Sequence, residues 1–181
     1  MKYLQTSEID KRSLWLIRHF FYKVFFKKLS GIGYIGKPIF CKGLRNISIG
    51  RKFRLFSGSR IECLNSGRVV VGDNVSIGQN LFIQTSSEIK IGNNVVMSAN
   101  VFIGTTDYII EPYATDSFLS QNEKERPIII EEGVFIGYGA VILPGSYLSK
   151  GCVVGANSVV KGRFESNTII AGTLAKVIGT R

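Results

Sequence analysis

The sequence is poor in residues that commonly build catalytic or metal centres. Histidine occurs once, at His19, and tryptophan once, at Trp15. The three cysteines (Cys41, Cys63 and Cys152) are an odd number without metal-like spacing. That argues against a disulfide framework or a zinc site, so no metal is expected and packing is the natural role for the thiols. No apolar run is long enough to span a bilayer, and no cleavable signal peptide is recognisable, so a reducing, cytoplasmic setting is expected. Acidic residues are almost missing from the first third. Residues 1–60 carry fourteen Lys and Arg against Glu8 and Asp10 alone, whereas residues 61–181 carry nine against eleven. The whole +10 excess therefore sits at the N-terminal end.

What the sequence does have is a six-residue beat of aliphatic residues. It runs Ile35, Cys41; Ile49, Leu55, Ile61; Val71, Ile77, Ile83; Ile91, Met97, Ile103; then Ile130, Ile136, Ile142; and Leu148, Val154, Val160. Glycine often follows the anchor, and a small or branched residue (Val75, Val95, Ala140, Ser146, Ser158) often sits four places on. Neither a helix nor an alternating strand has this period. It fits a parallel β-helix in which each hexad supplies one short strand and one corner, and twenty glycines suit so many corners. The anchors group in threes, so a triangular coil is predicted. Every extra residue, at 62–70, 84–90 and 104–129, then leaves from the same corner. With coils about 4.8 Å apart, residues distant in sequence converge there.

The predicted organisation is a basic, aromatic helical segment over 1–30 and a repeat domain over 31–181 with an inserted loop at 104–129. Ser7-Glu8-Ile9-Asp10 has capping-box spacing for a helix start. Along 12–29, Arg12, His19, Lys23 and Lys27 are expected on a polar stripe interrupted at Leu16, with Trp15, Phe20, Phe21, Phe25 and Phe26 around the rest. Such a helix either lies in a membrane interface or caps the open end of the β-helix, and both can hold at once. Peripheral contact with the inner face of the cytoplasmic membrane is left open. A nucleic-acid partner is not expected, because a phosphate-binding stripe seldom carries this much apolar bulk. Gly31, Gly33 and Gly36 match a dinucleotide fingerprint. A helix precedes them and Lys37-Pro38 follows, the reverse of what that fingerprint needs, so they mark the exit into the first hexad.

Two segments carry a family resemblance: IEEGVFIGYGAVILPGSYLSKGCVVGANSVVKG at 130–162 and NTIIAGTLAKVI at 167–178. The chain resembles the hexapeptide-repeat acyltransferases, the group of galactoside, maltose and polysaccharide O-acetyltransferases, over roughly residues 35–178. The second segment is similar to the family ending AGNPAKVI, with Thr173-Leu174 in place of Asn-Pro. The resemblance implies a left-handed β-helix, a homotrimer with sites between subunits, and acetyl-CoA as co-substrate lying in a groove. It implies Phe135 as an aromatic near the active site. It places Tyr138 and Ala156 against the pantetheine arm and Lys161 and Lys176 near the nucleotide phosphates, for which basic residues are chemically suited. Solvated surface charge is the alternative for both lysines.

The chain departs from the family at the insertion, where relatives carry a histidine general base in strings like TDHNH. Here the stretch is Ile103-Gly-Thr-Thr-Asp-Tyr108. Thr106 or Tyr108 stands where the histidines would, and Asp107 with Tyr108 is the predicted replacement. A free tyrosine titrates near 10 and a free aspartate near 3.9, so burial against aromatic surface is expected to raise Asp107 toward a useful value. Glu62 and Gln84 leave the same corner, and a column Glu62, Gln84, Asp107 is predicted to bind sugar hydroxyls or supply the base. A plain ion pair with Arg60 is the alternative for Glu62. Two functions remain open at this point. One is O-acetyl transfer from acetyl-CoA to a sugar hydroxyl of a lipid-linked or cell-surface polysaccharide precursor, such as a lipopolysaccharide. The other is a β-helix scaffold or CoA-binding protein that lacks the base.

Overall fold

A computed structural model describes residues 6–108 and 123–181. Helix α1, Thr6–Tyr22, is followed by a left-handed parallel β-helix of about six turns. Its strands stack into three flat faces. Face 1 begins with Lys28–Leu29 and continues through Ile47–Ile49, Arg68–Val71, Glu88–Ile91, Ile128–Ile130, Tyr147–Leu148 and Arg163–Phe164. Face 2 runs from Tyr34–Ile35 to Thr168–Gly172, and face 3 from Phe40–Lys42 to Val159–Val160. The chain ends by turning back, so that Ala175–Thr180 pairs antiparallel with Thr168–Gly172 across a cis peptide at Thr173–Leu174.

The anchors meet in register. Ile49, Val71, Ile91, Ile130 and Leu148 stack on face 1, Leu55, Ile77, Met97, Ile136 and Val154 on face 2, and Ile61, Ile83, Ile103, Ile142 and Val160 on face 3. All are buried, as are the small residues four places on. The columns extend further than the beat suggests, to Leu29 at one end and to Phe164 and Ile170 at the other. The solenoid thus starts at Lys28, three residues before the expected boundary.

Corners need backbone in the left-handed region, and asparagine takes that conformation more easily than other side-chain-bearing residues. Asn74, Asn80, Asn94, Asn100, Asn157 and Asn167 all have φ between 55° and 60°. Their amides also link successive coils, Asn74 donating to Asn94 at 2.8 Å and Asn80 to Asn100 at 2.9 Å. Gly58 sits under this ladder at φ +85°, where an added Cβ would lie 2.1 Å from Asn80 Oδ1.

Helix α1 covers the first coil. Trp15 packs against Tyr34 and Phe56 at 5.7 and 5.6 Å, and Arg18 Nη1 donates to the Ile35 carbonyl at 3.1 Å. His19 is not on a polar stripe, as the helix pattern suggested. It is fully buried, with Nε2 3.2 Å from the Gly31 carbonyl and no partner at Nδ1. The glycine-containing bend at 31–33 brings that carbonyl under the helix, a tertiary contact that helical periodicity does not encode. Burial is the largest influence on the imidazole and lowers its pKa; the carbonyl raises it, and Lys23 lowers it further.

Two outcomes are expected. Because the folded pKa of His19 is depressed below its ordinary 6.5, its contribution is complete above pH 6.5 and is lost as pH falls through the folded value. The emission of Trp15, the only tryptophan, should therefore shift to the red on acidification below pH 6.5, and His19→Gln should flatten that response. In the core, Ile103→Ala should cost about 2–5 kcal/mol by denaturant unfolding. At exposed Val96, a change to Ala should stay within about 0.5 kcal/mol.

Candidate active site

The irregular corner lies between faces 3 and 1. Outward-facing residues after the face 3 anchors stack there as Lys42, Glu62, Gln84 and Gly104. Glu62 is 7% exposed and accepts a hydrogen bond from Arg60 Nε. The Arg60 guanidinium lies over the rings of Phe82 and Phe40, at 5.1 and 5.7 Å, and Phe82 meets Phe102 edge-on at 5.2 Å. The alternation of strand side chains makes this ladder: Phe40, Arg60, Phe82 and Phe102 precede the anchors in register and so share the outer side of face 3. Glu62 is thus engaged by Arg60, while its register partner Gln84 is half-buried beside it.

The inserted loop leaves one coil above Gln84. Its base is pinned by hydroxyl groups that the sequence reading passed over. Thr85 Oγ1 meets Thr105 Oγ1 at 2.9 Å, Ser86 Oγ meets Thr106 Oγ1 at 3.0 Å, and the Ser86 and Ser87 amides donate to Thr105 Oγ1 at 3.2 and 3.3 Å. Thr105 donates its amide to the Gln84 carbonyl, and Arg126 returns a bond to the Thr105 carbonyl, so both ends of the loop close on one point. The visible signal was the pair of hydroxyl clusters Thr85-Ser86-Ser87 and Thr105-Thr106 at one corner. Beyond this base, Thr106–Tyr108 and Glu123–Glu125 form an antiparallel ribbon.

The ribbon moves Asp107 out of the predicted column, where Gly104 is the register partner of Gln84. Asp107 is held instead 4.0 Å from Lys161 Nζ, its side chain 46% exposed. Lys161 follows Val160, which stacks through Ile142 on Ile103, so it lies two coils above Gly104. The expected burial of Asp107 is not seen; a lysine accompanies it. Thr106 is half-buried with its hydroxyl against Ser86. The Tyr108 side chain and residues 109–122 lie outside the described residues.

The remaining candidates sit elsewhere on the solenoid. Tyr138 and Ala156 are exposed in successive coils at the corner between faces 2 and 3, linked by the Asn157 amide donating to the Tyr138 carbonyl at 2.7 Å. The Asn100 amide donates to the Tyr138 hydroxyl. Phe135 is exposed on face 2 beside Val96, and Lys176 is exposed on the terminal strand opposite Ala171. Face 3 therefore separates Tyr138 and Ala156 from Asp107 and Lys161.

A groove of about 480 Å³ over face 1 holds none of these residues. Its Tyr147 hydroxyl donates to Glu131, which also accepts the Lys150 amide at 2.8 Å. Those two bonds hold the Glu131 carboxyl below its ordinary range, and the same bond to Glu131 raises Tyr147. Elsewhere, burial pushes the Cys63 thiol up to about 11, which suits a packed rather than reactive cysteine.

Two family profiles match the chain. The one described as bacterial transferase hexapeptide (six repeats) covers residues 127–162, and that described as hexapeptide repeat of succinyl-transferase covers 68–105. WbbJ of Escherichia coli (strain K12), by name a lipopolysaccharide biosynthesis O-acetyl transferase, is 29% identical over 149 residues, 78% of this chain and 75% of the relative. A Saccharomyces cerevisiae protein named as an acetyltransferase is 34% identical over 144 residues, 80% of this chain and 61% of its own length. Among solved structures, a mutant of the Bacillus cereus N-acyltransferase AntD, in complex with dTDP and coenzyme A, superposes with a TM-score of 0.75. The match covers 91% of this chain and 89% of that one at 21% identity, a likeness of fold.

The Arg60–Glu62 pair offers a direct check on the corner. Arg60→Ala leaves a buried carboxylate without its cation and should destabilise the chain by about 1–3 kcal/mol. Adding Glu62→Gln should recover part of that loss, as measured by denaturant unfolding of the single and double variants.

Proposed function

Because the chain belongs to the hexapeptide-repeat acyltransferases, we propose that it transfers acetyl from acetyl-CoA to a sugar hydroxyl at the corner between faces 3 and 1. The observation that carries this reading is that the ribbon leaves an otherwise regular solenoid one coil above Gln84 and brings Asp107 to within 4.0 Å of Lys161, two coils further up. A sugar acceptor is supported by the name of the Escherichia coli relative and by the dTDP-4-amino-4,6-dideoxyglucose bound to AntD. It also suits the site, where the Phe82 and Phe102 rings offer apolar surface beside Gln84. A polysaccharide or lipopolysaccharide precursor is the acceptor class we favour.

His19 cannot act here. It is buried between α1 and the first coil, three coils below Gly104 and so about 14 Å away along the axis. Asp107 takes the proton of the acceptor hydroxyl as that oxygen forms a bond to the acyl carbon. Lys161 Nζ lies 4.0 Å from this carboxylate. The acyl–sulfur bond breaks, and the proton ends on the departing thiol. Acetyl-CoA supplies the activated thioester; Tyr138 and Ala156 would flank its pantetheine arm, and Lys176 its phosphates.

These donor residues and Asp107 occupy opposite edges of face 3 in one chain. A homotrimer resolves the separation, with the Asp107 corner of one subunit set against the Ala156 corner of its neighbour. Asp107→Asn should lower kcat about 10²- to 10⁴-fold with an unchanged fold, followed as acetyl-CoA-dependent thiol release. Unchanged turnover would remove Asp107 from the mechanism. Mixed trimers of Asp107→Asn and Lys176→Ala subunits should regain activity that neither variant has alone, whereas no recovery would place the whole site within one subunit.

A further inference from the structure

Helix α1 uses one face to close the solenoid and leaves a second face uncovered. The closing face carries Trp15, Arg18, His19 and Tyr22, continued by Phe26. Around the rest, Leu14, Ile17, Phe20 and Phe21, with Val24 and Phe25 in the turn that follows the helix, are each more than half exposed, Phe21 by 70% and Val24 by 69%. Ile32, next to the Gly31 carbonyl that His19 meets, is exposed as well. Single exposed apolar residues are ordinary, but six within twelve positions are not.

The surroundings of this face carry one sign of charge. From Lys11 to Ile61 there are thirteen Lys and Arg and no Asp or Glu. Among the described residues, the ion pairs of this stretch are Arg51 with Asp73 and Arg60 with Glu62, both on the solenoid. Lys23, Lys27 and Lys28 are exposed, and the Lys23 ammonium lies 4.9 Å from the centroid of the Phe20 ring. Two copies meeting on this face would bring like charges together. An anionic bilayer takes both components: aromatic rings enter the headgroup boundary, while lysines extend from their stems to lipid phosphates.

We propose that α1 is a two-sided element whose outer face docks the β-helix onto an anionic phospholipid surface, with its first coil toward the membrane. The helix lies in the interface, since no helix among the described residues is long and apolar enough to cross. Phe20, Phe21, Val24 and Phe25 enter the lipid, and Lys23, Lys27 and Lys28 meet the headgroups. The acyl-transfer reading is not needed for this docking, which is measured without substrate.

The test is flotation of the full chain with two kinds of vesicle, phosphatidylcholine alone and phosphatidylcholine mixed with phosphatidylglycerol. Binding is expected to the anionic vesicles and to weaken with added salt. Phe21→Ser with Phe25→Ser should lower the partition coefficient about 10-fold or more, and Lys23→Gln with Lys27→Gln should remove most of the salt dependence. Val96→Ser, on the middle of face 2, should bind as the parent does. Circular dichroism checks that each variant is folded, which is expected because the altered side chains are exposed. Absence of vesicle binding, equal binding to both vesicles, or binding untouched by the phenylalanine changes would overturn the proposal. A change of oligomeric state in the phenylalanine variant, without vesicle binding by the parent, would identify the face as a protein interface instead.

Discussion

In-register stacking of the coils is the constraint from which the rest follows. Each coil has the same three inward anchors, and a parallel strand pairs with its neighbour without a shift, so an anchor must lie directly over the one below. Additional residues cannot be absorbed within a face without turning its side chains over. They leave at a corner, and here the shared one lies between faces 3 and 1. The length of the Ile103-to-Ile130 step, anomalous as sequence, is therefore a structural address. It places the insertion above Glu62 and Gln84 and beneath Lys161.

The same regularity explains why a chain with one histidine can still assemble a polar site. Its side chains need not come from a single motif, because each coil contributes one residue to each outward column. Glu62 and Arg60 stiffen the lower part of the corner, and the Thr85, Ser86, Thr105 and Thr106 hydroxyls anchor the ribbon. Asp107 can then be carried away from its own column toward Lys161. The ribbon converts a position along the chain into a position along the solenoid axis.

Much of the fold was legible because a period of six is unambiguous. The seventeen anchors, their grouping in threes and the shared corner all appear as the beat implies. Leu29 and Phe164 escaped it because the repeat breaks at the ends, where the chain passes into α1 or toward its final hairpin. His19 was misplaced for a different reason: a helical wheel records periodicity, and the Gly31 carbonyl comes from outside the helix. At the site, the Glu62–Gln84 register followed from counting. The separation of Asp107 from that column did not, since a ribbon folded back on itself carries no register with the coils. Nor did the hydroxyl anchor, whose members are ordinary residues until the two clusters are stacked.

The solenoid should bind the acyl donor at the corner between faces 2 and 3, where Tyr138 and Ala156 are exposed, with Lys176 on the terminal strand. Calorimetric titration with acetyl-CoA, set beside free CoA, measures this most directly. Saturable binding near one site per chain, weakened by Lys176→Ala, is the predicted result. No heat of binding at millimolar ligand with the assembly intact would contradict it and reduce the β-helix to a scaffold.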